Sequence, residues 1–405
     1  MSTEPVVLHG PDIGAGGGGF YDRLRCEHGP VIPVLLEGDV PAWLVIGYRE
    51  LQDVLTRPDT FARDSRRWNA WDRVPPDWPL MPLVMPMPTV LNAEGEEHRR
   101  RAGAIAEALA AIDQHELRTV TTRFADRLID GFCAAGSADL RAAYSSRLPA
   151  LVLAWAYGLE EEHGDALATV MTTMLDGGPD SMAAQGTLLA EMTALVAARR
   201  AAPGPDVVSH LIGHREEFTD EELIPELIVL LGGGHQPTGE WIGNALRLML
   251  TDDRFGASLS GSRLSVSEAL NEVLWEDTPT QIYAGRFAAH DVDLGGHRVR
   301  TGDLILLGLA GANRDPALHR VPGGHQANRS HLSFSHGDHR CPHSAREMAE
   351  IIAVTAVEVL LDRLPDLELA VPAGELRWRP SPWMRGVTGL PVVFSSAPPL
   401  HSPPL

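Results

Sequence analysis

The chain has 405 residues, 44% of them hydrophobic, enough to bury a substantial core as one large domain or as two poorly separated ones. A formal charge of −20 argues against general binding to nucleic acid or to anionic membranes, because both need a basic surface. Three scattered cysteines cannot form a disulfide framework. With no basic segment leading into an apolar run, and with Ala150 to Leu159 too short to cross a bilayer, the expectation is a soluble, cytoplasmic protein with no membrane span.

In chain order, the first 60 residues combine a flexible run at Ala15 to Gly19, a short helix and an extended segment, VPAWLVIGY, which together predict a small strand-bearing lobe. From Trp68 to Pro88 the sequence is rich in Trp, Met and Pro, with prolines too frequent for helix. Such an apolar loop is either a lid or binding wall, or a loop packed on the surface. Helical spacing then dominates: EEHRRRAGAIAEALAAI, a run around Val120 to Phe132, Leu148 to Leu159, and two helices either side of Asp176-Gly177-Gly178-Pro179. TDEE at Thr219 to Glu222 matches a capping box and opens a long helix running to about Thr251.

The middle of that helix reads LLGGGHQPTGEW. Proline costs about 3 kcal/mol in a helix interior and glycine up to about 1 kcal/mol, so Gly232 to Gly234 and Pro237 predict a break. The break marks either close approach of a ligand to the backbone or a boundary between two helices. After a helix at Ser267 to Asp277, alternating residues around Leu294-Gly295-Gly296 predict a hairpin. The turn-rich ANRDP follows, and then FSHGDHRCPHSAREMAE. Pro342 suits a first helical turn, and the apolar spacing from Ala345 to Val359 predicts a last long helix ending before Pro365. The tail SSAPPLHSPPL reads as disordered.

Cys341 lies at the mouth of that last helix, where unpaired amides and the macrodipole favour a thiolate. Its sulfur suits a redox thiol, a zinc ligand, a haem-iron ligand or an inert core cysteine. His331, His336, His339 and His343 cluster nearby, but structural zinc prefers two or more thiolates or a tight Cys/His quartet, and only one cysteine is present.

FSHGDHRC, with Phe334, Gly337 and Cys341 at their spacing, resembles the haem-binding loop of the cytochrome P-450 superfamily. Pro279 to Pro316 is similar to the strand region of its bacterial members, EGEEHRR to the start of their haem-facing helix, and LLGGGHQPTGEW to their oxygen-binding helix. The resemblance implies a mainly α protein with a small β-rich lobe, the cytochrome P-450 fold. It also implies one haem b domain over 1–405, with 1–20 and 397–405 flexible. Cys341 would be the axial thiolate and Phe334 its shield, and His98, Arg286 and His339 would bind the haem propionates.

The chain departs from the family pattern in four respects. Trp275 stands where an arginine should pair with Glu272, so Glu272 is expected to pair with Arg329 or a nearby histidine. In the oxygen helix, Gln236 and Pro237 replace the proton-delivering acid and threonine, with Thr238 about 100° further round. His343 replaces a glycine, so its side chain must fit or the helix must shift. Ala102 replaces a propionate-binding arginine, leaving Arg99, Arg100 or Arg101 as substitutes. The implied function is a monooxygenase-like haem-thiolate oxidoreductase of secondary metabolism. It would act on an organic small molecule or peptide-like substrate in the Trp/Met/Pro-lined pocket, with a ferredoxin-type electron donor. The altered helix keeps open a peroxide-using or oxidative-coupling enzyme and a non-catalytic haem-binding or regulatory protein.

Overall fold

The computed structural model describes residues 4–9, 17–75, 78, 80–176, 180–252, 255–256, 265–318 and 328–400. The helices are α1 (Gly17–His28), α2 (Tyr48–Thr56), α3 (Met81–Val84), α4 (Gly95–Ala110), α5 (Gln114–Asp130), α6 (Arg147–Ala156), α7 (Glu162–Asp176), α8 (Ser181–Ala201), α9 (Val207–Ile212), α10 (Asp220–Thr251), α11 (Val266–Glu276), α12 (Leu309–Asn313) and α13 (His343–Arg363). The strands are β1 (Val6–Val7), β2 (Val31–Leu36), β3 (Val40–Val45), β4 (Phe61–Ala62), β5 (Ser137–Asp139), β6 (Tyr283–Ala288), β7 (Val292–Leu294), β8 (His297–Val299), β9 (Leu304–Leu307), β10 (Glu368–Leu369) and β11 (Pro391–Val393).

A six-stranded sheet in the order β1-β2-β3-β9-β6-β4 forms the small lobe. The apolar residues of β2 and β3 pair antiparallel from Val31↔Val45 to Leu36↔Val40, and β9 adds parallel to β3. β7 and β8 form the expected hairpin, closed by Gly295 and Gly296, both at positive φ as a two-residue turn requires. Gly17 to Gly19, expected to be flexible, form the first turn of α1. At the other end of the chain, the amides of Ala397 and Leu400 donate to the Cys133 carbonyl and to Asp130.

The large lobe is helical and carries the main core, in which α5, α6, α10 and α13 pack together. α10 begins at the Thr219–Glu222 capping box and runs 32 residues without interruption, so the expected break is absent. Both prolines, Pro225 and Pro237, sit inside it. Packing on α6, α8, α11 and α13 overrides the local cost, as tertiary contacts commonly override propensity. Gly239 is where that packing is tightest, because a Cβ there would press on the Ser145 carbonyl oxygen.

The Trp/Met/Pro segment divides. Trp68 and Trp78 are buried in the small-lobe core with ring contacts at 5.9 Å, and Trp68 also meets Trp71 at 5.0 Å and Phe287 at 6.2 Å. These tryptophans are core rather than pocket wall. Met85 and Met87 instead reach α8, where their sulfurs accept from Gln185. Gly177 and Gly178, between α7 and α8, lie outside the described residues.

Candidate functional site

The loop from Phe334 to Cys341 is shaped by two left-handed residues, Ser335 (φ 62°) and Gly337 (φ 74°). A Cβ on Gly337 would collide with the Leu55 carbonyl oxygen, so only glycine fits. The Cys341 amide donates to the Phe334 carbonyl at 2.9 Å and closes the loop, while the Leu332 amide donates to Asn313 Oδ1 at 2.7 Å and fixes its entry. The Phe334 ring stands edge-on to Trp241 of α10 at 5.9 Å and lies under the Arg346 guanidinium at 5.1 Å. Pro342 is the N-cap of α13, which leaves Cys341 partly covered just before it. Burial pushes the Cys341 thiol up to about 11, with Arg346 working in the opposite direction. Desolvation therefore outweighs the helix mouth, and a thiolate here needs a cation in contact.

Beside this loop four cation-capable groups converge. The rings of His98, on α4, and His339 are 3.8 Å apart. Arg286 is 2% exposed, and its one side-chain hydrogen bond among the described residues is Nη1 to the Gly285 carbonyl at 3.1 Å. A register shift between Ala284 and Arg286, with Gly285 at φ 129°, sets that side chain against the regular pleat. Arg63, which follows β4, is 5% exposed and sends Nη1 to the same carbonyl and Nε to the Leu91 carbonyl, both at 2.6 Å. None of the four has a carboxylate oxygen as a side-chain hydrogen-bond partner among the described residues. Glu94 instead accepts from the backbone amides of Arg63 and Asp64 and from Arg67. Burial and then the neighbouring positive charges disfavour the charged forms of three of these groups: the Arg286 guanidinium lies well below its usual range, His339 is pushed down to about 2, and His98 is lowered.

On α10 the flanks are buried, but Val229, Leu230, Gly232, Gly233, Gly234 and Pro237 form a partly uncovered strip. Thr238 is turned off this strip and is 3% exposed. Gln236 and Glu240, one turn apart, share Arg379: the Gln236 amide oxygen, turned toward the guanidinium, accepts from both Nη atoms at 2.7 Å, and Glu240 accepts from Arg379 Nη1. Arg141 Nη2 completes the group with a 3.0 Å bond to Glu240. Burial pushes the Glu240 carboxyl up to about 7.

No family model matches the chain. It is 32% identical to the cytochrome P450 monooxygenase PikC of Streptomyces venezuelae, covering 96% of this chain and 95% of that protein. It is 31% identical to nocardicin C N-oxygenase of Nocardia uniformis subsp. tsuyamanensis, covering 96% and 97%. The chain belongs to the cytochrome P450 family. Among solved structures, CYP154C4 from Streptomyces sp. ATCC 11861 matches with a TM-score of 0.88 at 27% identity, covering 98% of this chain and 99% of that one. The mainly helical fold with its small sheet lobe is the P450 fold. As a P450 the protein is a haem-iron oxidoreductase that acts on organic small molecules.

The residues present fit a haem. A single thiol in apolar surroundings suits an iron ligand, the uncovered glycine-rich strip suits a flat apolar macrocycle, and buried guanidiniums with no carboxylate hydrogen-bonded to them suit two propionates. The P450 departures resolve differently. Arg329 does not pair with Glu272; it bonds Glu350 at 3.0 and 3.1 Å and Ser267 at 3.4 Å. Nor does His331, whose ring nitrogens are buried without a hydrogen-bond partner. Trp275 instead donates from Nε1 to the Asn328 carbonyl at 2.8 Å, beside Asn271 at 3.1 Å, so a neutral donor ties α11 to the segment before the cysteine loop. His343 points outward, 84% exposed, and pairs with Glu347, so α13 need not shift. Arg100 and Arg101 both turn to Glu97 and Glu222, so neither joins His98, and Arg99 is exposed. Sequence reasoning missed Arg63, Arg379 and Glu240; no local motif marks any of them.

Proposed function

We propose that the protein is a P450 monooxygenase holding haem b, with Cys341 as the axial ligand, Phe334 shielding the sulfur, and Arg286, His339 and His98 facing the propionates. The observation that carries this reading is a lone, partly covered thiol beside a set of cation-capable side chains, Arg63, Arg286 and His98 buried among them, with no carboxylate hydrogen-bonded to them among the described residues. One ligand bearing both a metal and two carboxylates answers both features. When bound, the haem supplies the oxidising chemistry, which a thiolate ligand directs toward O–O cleavage. The chain's own residues exclude water from the sulfur and orient the macrocycle against the Gly232 to Pro237 strip. Its substrate is an organic small molecule or a peptide-like one. Electrons come from a ferredoxin-type donor docking on the Cys341 side, where Arg99, His336, Arg340 and His343 are exposed despite the net charge.

Gln236 and Pro237 favour a second reading, a peroxide-using or oxidative-coupling enzyme, because an amide held on Arg379 and a ring without a hydroxyl cannot pass protons. A carbon monoxide difference spectrum of the reduced protein tests the common core. Wild type is expected to give the thiolate-type band and Cys341→Ser to lose it, and a wild-type spectrum without that band overturns the assignment. Turnover driven by peroxide with no electron donor selects the second reading over the first.

A further inference from the structure

We infer that Arg63 is a propionate-holding residue that takes over from the arginine lost at position 102; the inference rests on the haem reading above. Three observations lead to it. First, the arginines nearest position 102 are committed elsewhere: Arg101 is 3% exposed and bonds Glu97, Glu222, Glu226 and the Pro88 carbonyl, while Arg100 bonds Glu97, Glu222 and the Glu216 carbonyl.

Second, Arg63 is built into the cationic cluster from another part of the chain. β4 pairs with β6 through Phe61↔Ala288 and Ala62↔Phe287, which brings the next residue, Arg63, level with Arg286. Both guanidiniums bond the Gly285 carbonyl, and a Cβ on Gly285 would collide with Arg63 Nη1. Arg63 is also close enough to His98 and Arg286 to disfavour a charge on each of them.

Third, Arg63 is positioned without being neutralised. Two carbonyls occupy Nε and Nη1, the Tyr283 ring lies 5.4 Å beneath the guanidinium, and Nη2 has no protein partner among the described residues. Two buried like charges side by side are costly unless an anion enters between them, and a fixed guanidinium fork suits a carboxylate. Arg63 is thus held by backbone carbonyls and directed at a negative group that the chain itself does not provide.

The test is haem retention rather than turnover. Transfer of haem from the loaded protein to excess apomyoglobin is expected to be about tenfold faster in Arg63→Gln than in wild type, a loss consistent with removing one charge-assisted contact. The reduced carbon monoxide band should be unchanged, because the thiolate is untouched. Arg63→Lys should recover part of the loss and serves as the second variant should the glutamine form fold poorly. Repeating the transfer with haem dimethyl ester, which lacks the negative charges, should abolish the difference between wild type and both variants. Equal rates with ordinary haem overturn the inference. So does an accelerated loss that persists undiminished with the ester, since Arg63 would then act only through the fold. Failure of the wild type to show a thiolate band would instead sink the haem reading itself.

Discussion

At position 236 a neutral side chain does what a charged one would do badly. Arg379 is already matched by Glu240, which Arg141 also holds, so a second carboxylate at Gln236 would bring two buried acids onto one guanidinium. Gln236 accepts from Arg379 without adding charge, and the cost is the loss of a proton carrier next to Pro237 of the uncovered strip. Pro237 deepens that loss, since Thr238 lies round the helix and away from the strip. Positioned proton transfer is worth roughly 10²- to 10⁴-fold in rate. The double variant Gln236→Glu, Pro237→Thr is therefore expected to raise donor-dependent turnover about tenfold, or to lower peroxide released per electron pair by a similar factor. If neither quantity moves, these two residues do not limit oxygen use.

Whole elements were legible in the sequence where their signals are local, and were misread where distant contacts decide. The Thr219 capping box, the Gly295-Gly296 hairpin and the end of α13 before Pro365 are each set by a few neighbouring residues, and they appear as expected. The break expected in α10 failed because burial on four helices outweighs two prolines and three glycines. Arg63 reaches across 222 positions to Gly285, and Glu240 across 139 to Arg379, so no spacing within either segment could reveal them. α11 shows the same dependence on distant contacts. Trp275 is 2% exposed and donates an indole hydrogen bond to a carbonyl 53 positions away. Trp275→Phe should cost about 1 kcal/mol, the usual net worth of such a bond, because Asn271 still satisfies the Asn328 carbonyl. Trp275→Ala should cost about 3–5 kcal/mol through the cavity it leaves. Denaturant unfolding of the two variants separates the contributions, and a phenylalanine form as unstable as the alanine form would mean that the N–H, not the packing, holds α11 in place.

For the molecule as a whole, buried titratable groups pull stability in opposite directions across the physiological range. Glu226, 0% exposed, is pushed up from 4.5 to about 7 by burial, against the Val90 amide and Arg101 that bond it, and Glu240 is raised to about 7 in the same way. The folded state therefore binds protons that the unfolded chain has released between pH 4.5 and 7, and the stability they confer is lost as pH rises through that window. His331 runs the other way. Burial pushes it down to about 3, so the folded state refuses a proton that the unfolded chain takes below pH 6.5, and stability falls as pH drops. The two slopes overlap, so the wild-type profile alone does not separate them, but Glu226→Gln does. The amide still accepts from Val90 and cannot ionise, so its stability relative to wild type should rise by on the order of 2 kcal/mol between pH 5 and pH 8. Urea unfolding of both proteins at those two pH values measures this. A difference that stays constant with pH would mean that Glu226 is ionised throughout, with Arg101 and the Val90 amide outweighing its burial.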